Sequence, residues 1–315
     1  MTTHQRQTPT PSSAPTHKSS KQLALAQIIL ASLCFGFLGI FGRIAAQNGL
    51  NVGVLLTSRF SVAALLLGLY FVLLAPKKLL LGWNQFAIAS LQGLFGYAVF
   101  STLYFRALEG ISVSLASMLL FTYPLWIMLI HAIRGESLKK SQWLTLAAAL
   151  AGLLILLWGP FEVTTLRSLI YGLGAGITYA IYIYISSRVQ QEVHPLASSF
   201  YVILWTAIGL AVFHHPEDTS WKVTWMSLTP NQSWIIFGMA MICTIIPLTL
   251  VLSSLQKLPS PLVALVSLIE PVTATLAAWV ILNENLTWYQ IFGGLVVLTA
   301  AGTQIKLTQP SELVA

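Results

Sequence analysis

Apolar residues in this chain come in long runs, not in the alternation that marks a half-buried strand or the three-to-four spacing of a half-buried helix. The stretch LVALVSLIEPVTATLAAWVILNE, residues 262–284, is apolar over nearly all of its length. Similar runs lie near 23–42, 53–74, 85–105, 111–132, 142–159, 168–187, 196–213, 234–253, 261–282 and 289–305. One bilayer crossing needs about 20 mostly apolar residues, so the pattern predicts about ten transmembrane segments. Helices are expected, since open strands leave backbone groups unsatisfied in lipid. The fifth and tenth runs are short, and the seventh, PLASSFYVILWTAIGLAVF, is moderately polar. Polar punctuation such as APKKLLLGW, RGESLKK and HHPEDTSWKVTW separates them.

Composition changes the picture only by removing the alternative of a soluble protein. Of 315 residues, 56% are hydrophobic and 8% charged, with a mean hydropathy of +0.79. Soluble domains carry about 25% charged residues. The fold class is therefore an all-α membrane protein. If the amino terminus is cytoplasmic, eleven Lys and Arg residues fall on inner segments and four on outer ones, with Arg59 inside a span. The positive-inside rule then places both termini in the cytoplasm, and the multi-pass chain is expected in the inner or plasma membrane of the cell. The formal charge of +7 is thereby an orientation signal and calls for no nucleic acid. Residues 1–22, rich in Pro, Ser and Thr, read as a disordered cytoplasmic tail, and 307–315 as a second tail. The first apolar run exceeds the core of a signal peptide. Cys34 and Cys243 both fall within spans, which predicts free, buried thiols.

The chain also repeats itself. ALEGISVSLASMLLFTYPLWIMLIHAIRGESL (107–138) aligns with SLQKLPSPLVALVSLIEPVTATLAAWVILNENL (254–286). Leu108 falls on Leu255 and Pro124 on Pro271; Glu136 and Leu138 match Glu284 and Leu286 after one inserted residue. Two halves of about five spans, 23–159 and 168–306, follow. An odd number of crossings per half forces opposite orientations, the inverted plan of many secondary transporters, whose sites lie near the midplane.

The stretch EPVTATLAAWVILNENLTWYQIFGGLVVLTAAG resembles the carboxy-terminal signature of the EamA-type drug/metabolite transporter superfamily: a mid-helix Pro, a helix of small and apolar residues, a Glu at its end, then a Gly-containing last helix. YPLWIMLIHAIRGESLKKSQWLTLAAALAG repeats it in the first half. Arg59 in TSRFSVAALLL resembles the family's second-helix Arg, while Phe35-Gly36 stands where the family usually has Trp-Gly. The resemblance covers about residues 25–306. It implies two inverted five-helix EamA-like repeats and secondary transport of amino acids, other metabolites or drugs.

Candidate chemistry centres on the residues that least suit hydrocarbon. Pro271 cannot donate a backbone hydrogen bond, and the carbonyl it frees must find a partner or line a wet cavity. A charged side chain at the bilayer centre costs about 2.5–3.5 kcal/mol on insertion scales, so Glu270 is expected to face the bundle interior. There it either binds a proton or a cationic substrate group, or merely satisfies carbonyls loosened by Pro271. Arg59 differs from it in depth by roughly 8 Å at 1.5 Å per residue. It either reaches inward, suiting a zwitterion, or snorkels to the outer headgroups. Tyr123, Tyr179, Trp126 and Trp205 lie within spans as candidate cavity residues. Pro124, Pro271, Gly36 and Gly174 are candidate helix pivots, and Gly172 and Gly176 give the small-xxx-small spacing of close packing. Trp83, Trp143, Trp158, Trp234 and Trp288 read as interfacial anchors, and Glu136 and Glu284 as helix-end supports.

Other classes lack their chemistry. The six His residues form no HExxH and no GxxxxGK[ST] loop is present, so neither a zinc enzyme nor ATP-driven pumping is expected. No Lys lies inside a span. His214, His215, Glu217 and Asp218 share an outer loop, read as solvated in preference to a metal site. No cofactor or metal is expected. The reading is a carrier, expected to export small polar or amphipathic metabolites such as amino acids by alternating access, with proton coupling through Glu270 as an option. A channel or a receptor without carrier activity is the alternative. Partners are a small-molecule substrate and the bilayer, with the chain a monomer or homodimer.

Overall fold

The computed structural model describes residues 15–159, 163–190, 193–213 and 228–308. Among them run ten apolar helices: α1 (Ser20–Gln47), α2 (Gly53–Leu74), α3 (Trp83–Leu108), α4 (Val113–Ile133), α5 (Lys140–Leu156), α6 (Leu166–Val189), α7 (Pro195–Val212), α8 (Pro230–Leu255), α9 (Ser260–Leu282) and α10 (Trp288–Leu307). All but α5 are long and apolar enough to cross a membrane. At 17 residues α5 spans roughly 26 Å, just under a hydrocarbon core of about 30 Å.

These helices lack the polar stripe of a soluble bundle. On α2, Phe60, Ala63, Leu67 and Phe71 are buried, while Leu65, Leu69 and Leu73 point outward and are exposed. A helix that is hydrophobic all round belongs in a large core or in a membrane. Polar residues instead mark the ends. The Asn51 side chain accepts from Gly53 N (2.8 Å) ahead of α2, and Thr229 and Gln232 cap α8 reciprocally. Gly135 (φ 75°) and Asn283 (φ 53°) take the left-handed conformation just past α4 and α9, where glycine and asparagine are favoured. Trp83, Trp158, Trp234 and Trp288 are exposed near helix ends.

One boundary is corrected. The chain is already helical from Pro15, so residues 15–22, expected in the tail, extend the first helix. Proline suits a first helical turn, whose N–H has no partner anyway. Residues 1–14, 309–315 and the His214–His215 loop lie outside the described residues.

Packing repeats between the halves. The first helix lies on α8 and α9, as α6 lies on α3 and α4; α2 meets α7 and α8, as α7 meets α2 and α3. The α5–α10 pair packs most extensively, and α4 touches α9. The irregular turns repeat too: α3 carries a π-helical turn at Gln92–Tyr97 and α8 one at Met241–Ile245. α4 is interrupted at Phe121–Thr122 and α9 at Leu268, each just before its Tyr-Pro or Glu-Pro pair. A further interruption falls at Phe37 in α1, with no counterpart in α6.

Candidate functional site

Just past its interruption, α4 packs on the segment of α9 that precedes the other interruption. Proline leaves the carbonyl four residues back without its helical donor, and each helix breaks within a turn of its proline. Side-chain hydrogen bonds cluster around each break: Thr122 Oγ1 donates to Leu119 O (2.6 Å) and Trp126 Nε1 to Thr122 Oγ1 (3.1 Å). On α9, Thr273 Oγ1 donates to Ile269 O (3.1 Å) and Thr275 Oγ1 to Pro271 O (2.9 Å). Gly36 lets α1 cross there, for a Cβ at this position would stand 2.6 Å from Thr273 Cβ and 3.1 Å from Glu270 O.

Glu270 opens the second segment of α9. Tyr97 and Tyr104 of α3, Tyr123 of α4, Tyr179 of α6 and Cys243 of α8 lie close enough to feel its charge. Among the described residues no hydrogen bond or ion pair engages it, and Glu270 keeps partial accessibility. The carbonyl freed by Pro271 is that of Ser267, four residues back, and among the described residues no hydrogen bond joins it to this acid.

An aromatic wall stands beside it. The Tyr97 ring centroid is 4.8 Å from Phe100, 5.4 Å from Tyr182 and 6.3 Å from Tyr179. Tyr179 is 4.8 Å from Phe100 and 4.9 Å from Tyr123. The Tyr123 hydroxyl donates to Ala264 O across to α9 (3.3 Å). Tyr97, Tyr123 and Tyr182 are buried, whereas Phe100, Trp126 and Tyr179 retain accessible surface.

Arg59 is 5% exposed and turns into the protein, not toward headgroups as snorkelling would require. Its guanidinium carbon sits 4.5 Å over the Phe60 ring, and its Nε lacks a hydrogen-bond partner among the described residues. It shares Tyr97 and Cys243 with Glu270 as electrostatic neighbours, yet the two charges form no ion pair.

Other expected residues fall elsewhere. Gly172 and Gly176 bring α6 against Leu119 of α4, but α6 runs unbroken through Gly174, so no pivot is visible there. Trp205 of α7 lies against Gly93 of α3. The thiols of Cys34 and Cys243 are free. Glu284 pairs with Arg43 and Glu136 with Arg188. His131, unassigned by sequence, joins Glu136 (Nδ1 to Oε2, 2.7 Å) and Ser260 (Nε2 to Oγ, 2.9 Å). Tyr97 and Phe100 also escape sequence reasoning, although QGLFGY hints at irregular helix through its paired glycines.

A family comparison decides the identity. The EamA-like transporter family matches residues 22–158 and, a second time, 166–303. The chain belongs to this family. Its two matches coincide with the halves whose packing repeats. The EamA-like chain is 25% identical over 278 residues to an uncharacterized transporter of Archaeoglobus fulgidus, covering 87% of this chain and 93% of that one. It is 22% identical to the uncharacterized transporter YcbK of Bacillus subtilis, over 84% and 87% of the two chains. Against the threonine/homoserine exporter RhtA of Escherichia coli K12 the identity is 24%, over 67% of this chain and 69% of that one. A solved crystal structure shares the fold with a TM-score of 0.73 at 16% identity, over 93% of this chain and 99% of that one. The protein is thus a multi-pass membrane transporter, and the two intramembrane charges stand within a transporter fold.

Proposed function

We propose that this EamA-like transporter is a secondary carrier that exports small polar or amphipathic metabolites of the amino-acid type by alternating access. The carrying observation is Glu270: a partly accessible carboxyl without a partner among the described residues, inside an apolar bundle, on the shoulder of a helix interruption, with tyrosines near enough to feel its charge. Intramembrane acids that meet no structural need mark substrate or proton pathways. Glu270 receives the substrate's ammonium group, or a proton in its absence. Tyrosine faces favour the same cation, and Arg59 takes a carboxylate on the far side of the gap between the two charges. The separation of Arg59 from Glu270, with shared neighbours and no ion pair, suits a zwitterion bridging them. Two family matches and mirrored packing support inverted halves, 23–159 and 168–306, that rock about this site. The exporting direction draws on RhtA, a threonine/homoserine exporter by its name.

The test is a metabolite screen of cells with and without the chain, followed by flux in proteoliposomes. Glu270→Gln should lower export at least tenfold (about 1.4 kcal/mol) and flatten its pH profile. An unchanged rate and profile would remove Glu270 from the mechanism. Ion currents far above carrier turnover would favour a channel instead.

A further inference from the structure

The two interrupted helices are mates, yet their first segments live in different surroundings. Ser260–Ser267 of α9 has every residue but Ser267 buried. Val113–Leu120 of α4, its counterpart by the repeat, buries only Ala116. The α9 segment packs against Tyr123–Ile133 of α4 and against α1, α8 and α10; the α4 segment packs on α6 and α3, with no comparable contact to Ile269–Leu282. One end of the α4–α9 seam is therefore shut and the other parted. The Lys/Arg bias assigns the shut end to the cytoplasm.

What closes the shut end is polar and specific. His131, 7% exposed, sits between three helices: its Nδ1 meets Glu136 Oε2 at 2.7 Å and its Nε2 meets Ser260 Oγ at 2.9 Å. Ser187 of α6 donates to the same Ser260 hydroxyl at 3.4 Å. The imidazole stands edge-on to Tyr184, centroids 5.2 Å apart. Arg188 pairs with Glu136 and lies 5.2 Å over Tyr184. A carboxylate on Nδ1 selects the tautomer whose Nε2 accepts from a hydroxyl, so Glu136 aims His131 at α9.

The parted end has the ion pair but not the pin. Arg43–Glu284 is the counterpart of Arg188–Glu136. Both pairs are about half exposed and so contribute little, and being present at both ends they cannot make the ends differ. Ser260 corresponds to Val113 by the Pro124–Pro271 offset. His131 corresponds to Ala278 by that offset, or to Trp279 by the Glu136–Glu284 offset. None of these can bridge an acid to a hydroxyl.

We infer that His131 is the positioning residue of a gate between α4 and α9, pinning the cytoplasmic end through Ser260 and so setting the resting state open to the opposite side. The inference rests on the carrier reading for its purpose, but its test reads conformation directly. In a Cys34→Ser, Cys243→Ser background, Ala264→Cys places a reporter beneath the pin and Ser117→Cys, at its counterpart by the repeat, one at the parted end. Each is labelled with a membrane-impermeant thiol reagent in oriented vesicles. His131→Ala and Ser260→Ala should each raise labelling at 264 from the cytoplasmic side at least tenfold and lower labelling at 117 from the other side. His131→Gln, which both donates and accepts, should restore much of the original pattern. Unchanged labelling in Ser260→Ala, a mild substitution that keeps the protein folded, would overturn the gate even if His131→Ala misfolds. A reporter response without metabolite flux would sink the carrier reading and leave the gate standing. Flux without a response would do the reverse.

Discussion

Single residues here are constrained by what they touch, and the constraint is tightest where backbones meet. Gly293 on α10 is the sharpest case: a Cβ there would stand 2.4 Å from Leu156 N and 2.7 Å from Gly152 O. Backbone cannot swing aside as a side-chain tip can, so Gly293→Ala should destabilise by about 1–3 kcal/mol and lower the melting temperature in detergent. Gly302→Ala, with open space around it, should not. Glu136 supplies a pH prediction. Burial by itself would raise its carboxyl pKa, but His131 and Arg188 outweigh burial and hold it below the usual range. A depressed carboxyl gives stability that is complete above the ordinary glutamate pKa of about 4.3 and is lost as pH falls through the lower folded value. The melting-temperature gap between wild type and Glu136→Gln should stay constant from neutral pH down to about 5, closing only in stronger acid. Glu270 and Arg59 are legible in sequence because charges are rare in oily runs. His131 and Ser260 are not, since they are 129 positions apart and only packing makes them neighbours.

At the scale of elements, the interruptions in α4 and α9 are the informative feature. A proline inside a helix costs about 3 kcal/mol in water, and here each one follows a turn where the helix has already opened. Pro271→Ala allows α9 to close its hydrogen bonds through Leu268. The expected outcome is unchanged or higher thermal stability with export reduced several-fold, measured on the same preparation; wild-type export would mean the interruption is not used in transport. The helix runs themselves, and the matching prolines, can be read directly from the chain. The π-helical turns at Gln92–Tyr97 and Met241–Ile245 leave no signature in hydropathy, and only the paired glycines of QGLFGY hint at the first of them. The early start of the first helix is hidden for a related reason: hydropathy reports where oil begins, not where hydrogen bonding begins.

For the whole molecule, ten crossings require both termini on one side. A phosphatase fused after Leu307 should be inactive and a fluorescent protein there bright, with the opposite pattern for fusions after Trp158. A reversed or mixed pattern would break the inverted-repeat reading and the assignment of the shut end to the cytoplasm. Hydropathy and the repeat that sets Pro124 over Pro271 determine solvent and approximate helix count on their own, and the charge bias predicts orientation. They do so because those properties depend on local composition and length, which a linear chain displays. Tertiary structure alone decided that Arg59 turns inward, that tyrosines from three helices gather near Glu270, and that one end of the α4–α9 seam is pinned while its mate is parted. Those facts depend on which faces of separate helices meet, and residues more than a hundred positions apart carry no local mark of their partners.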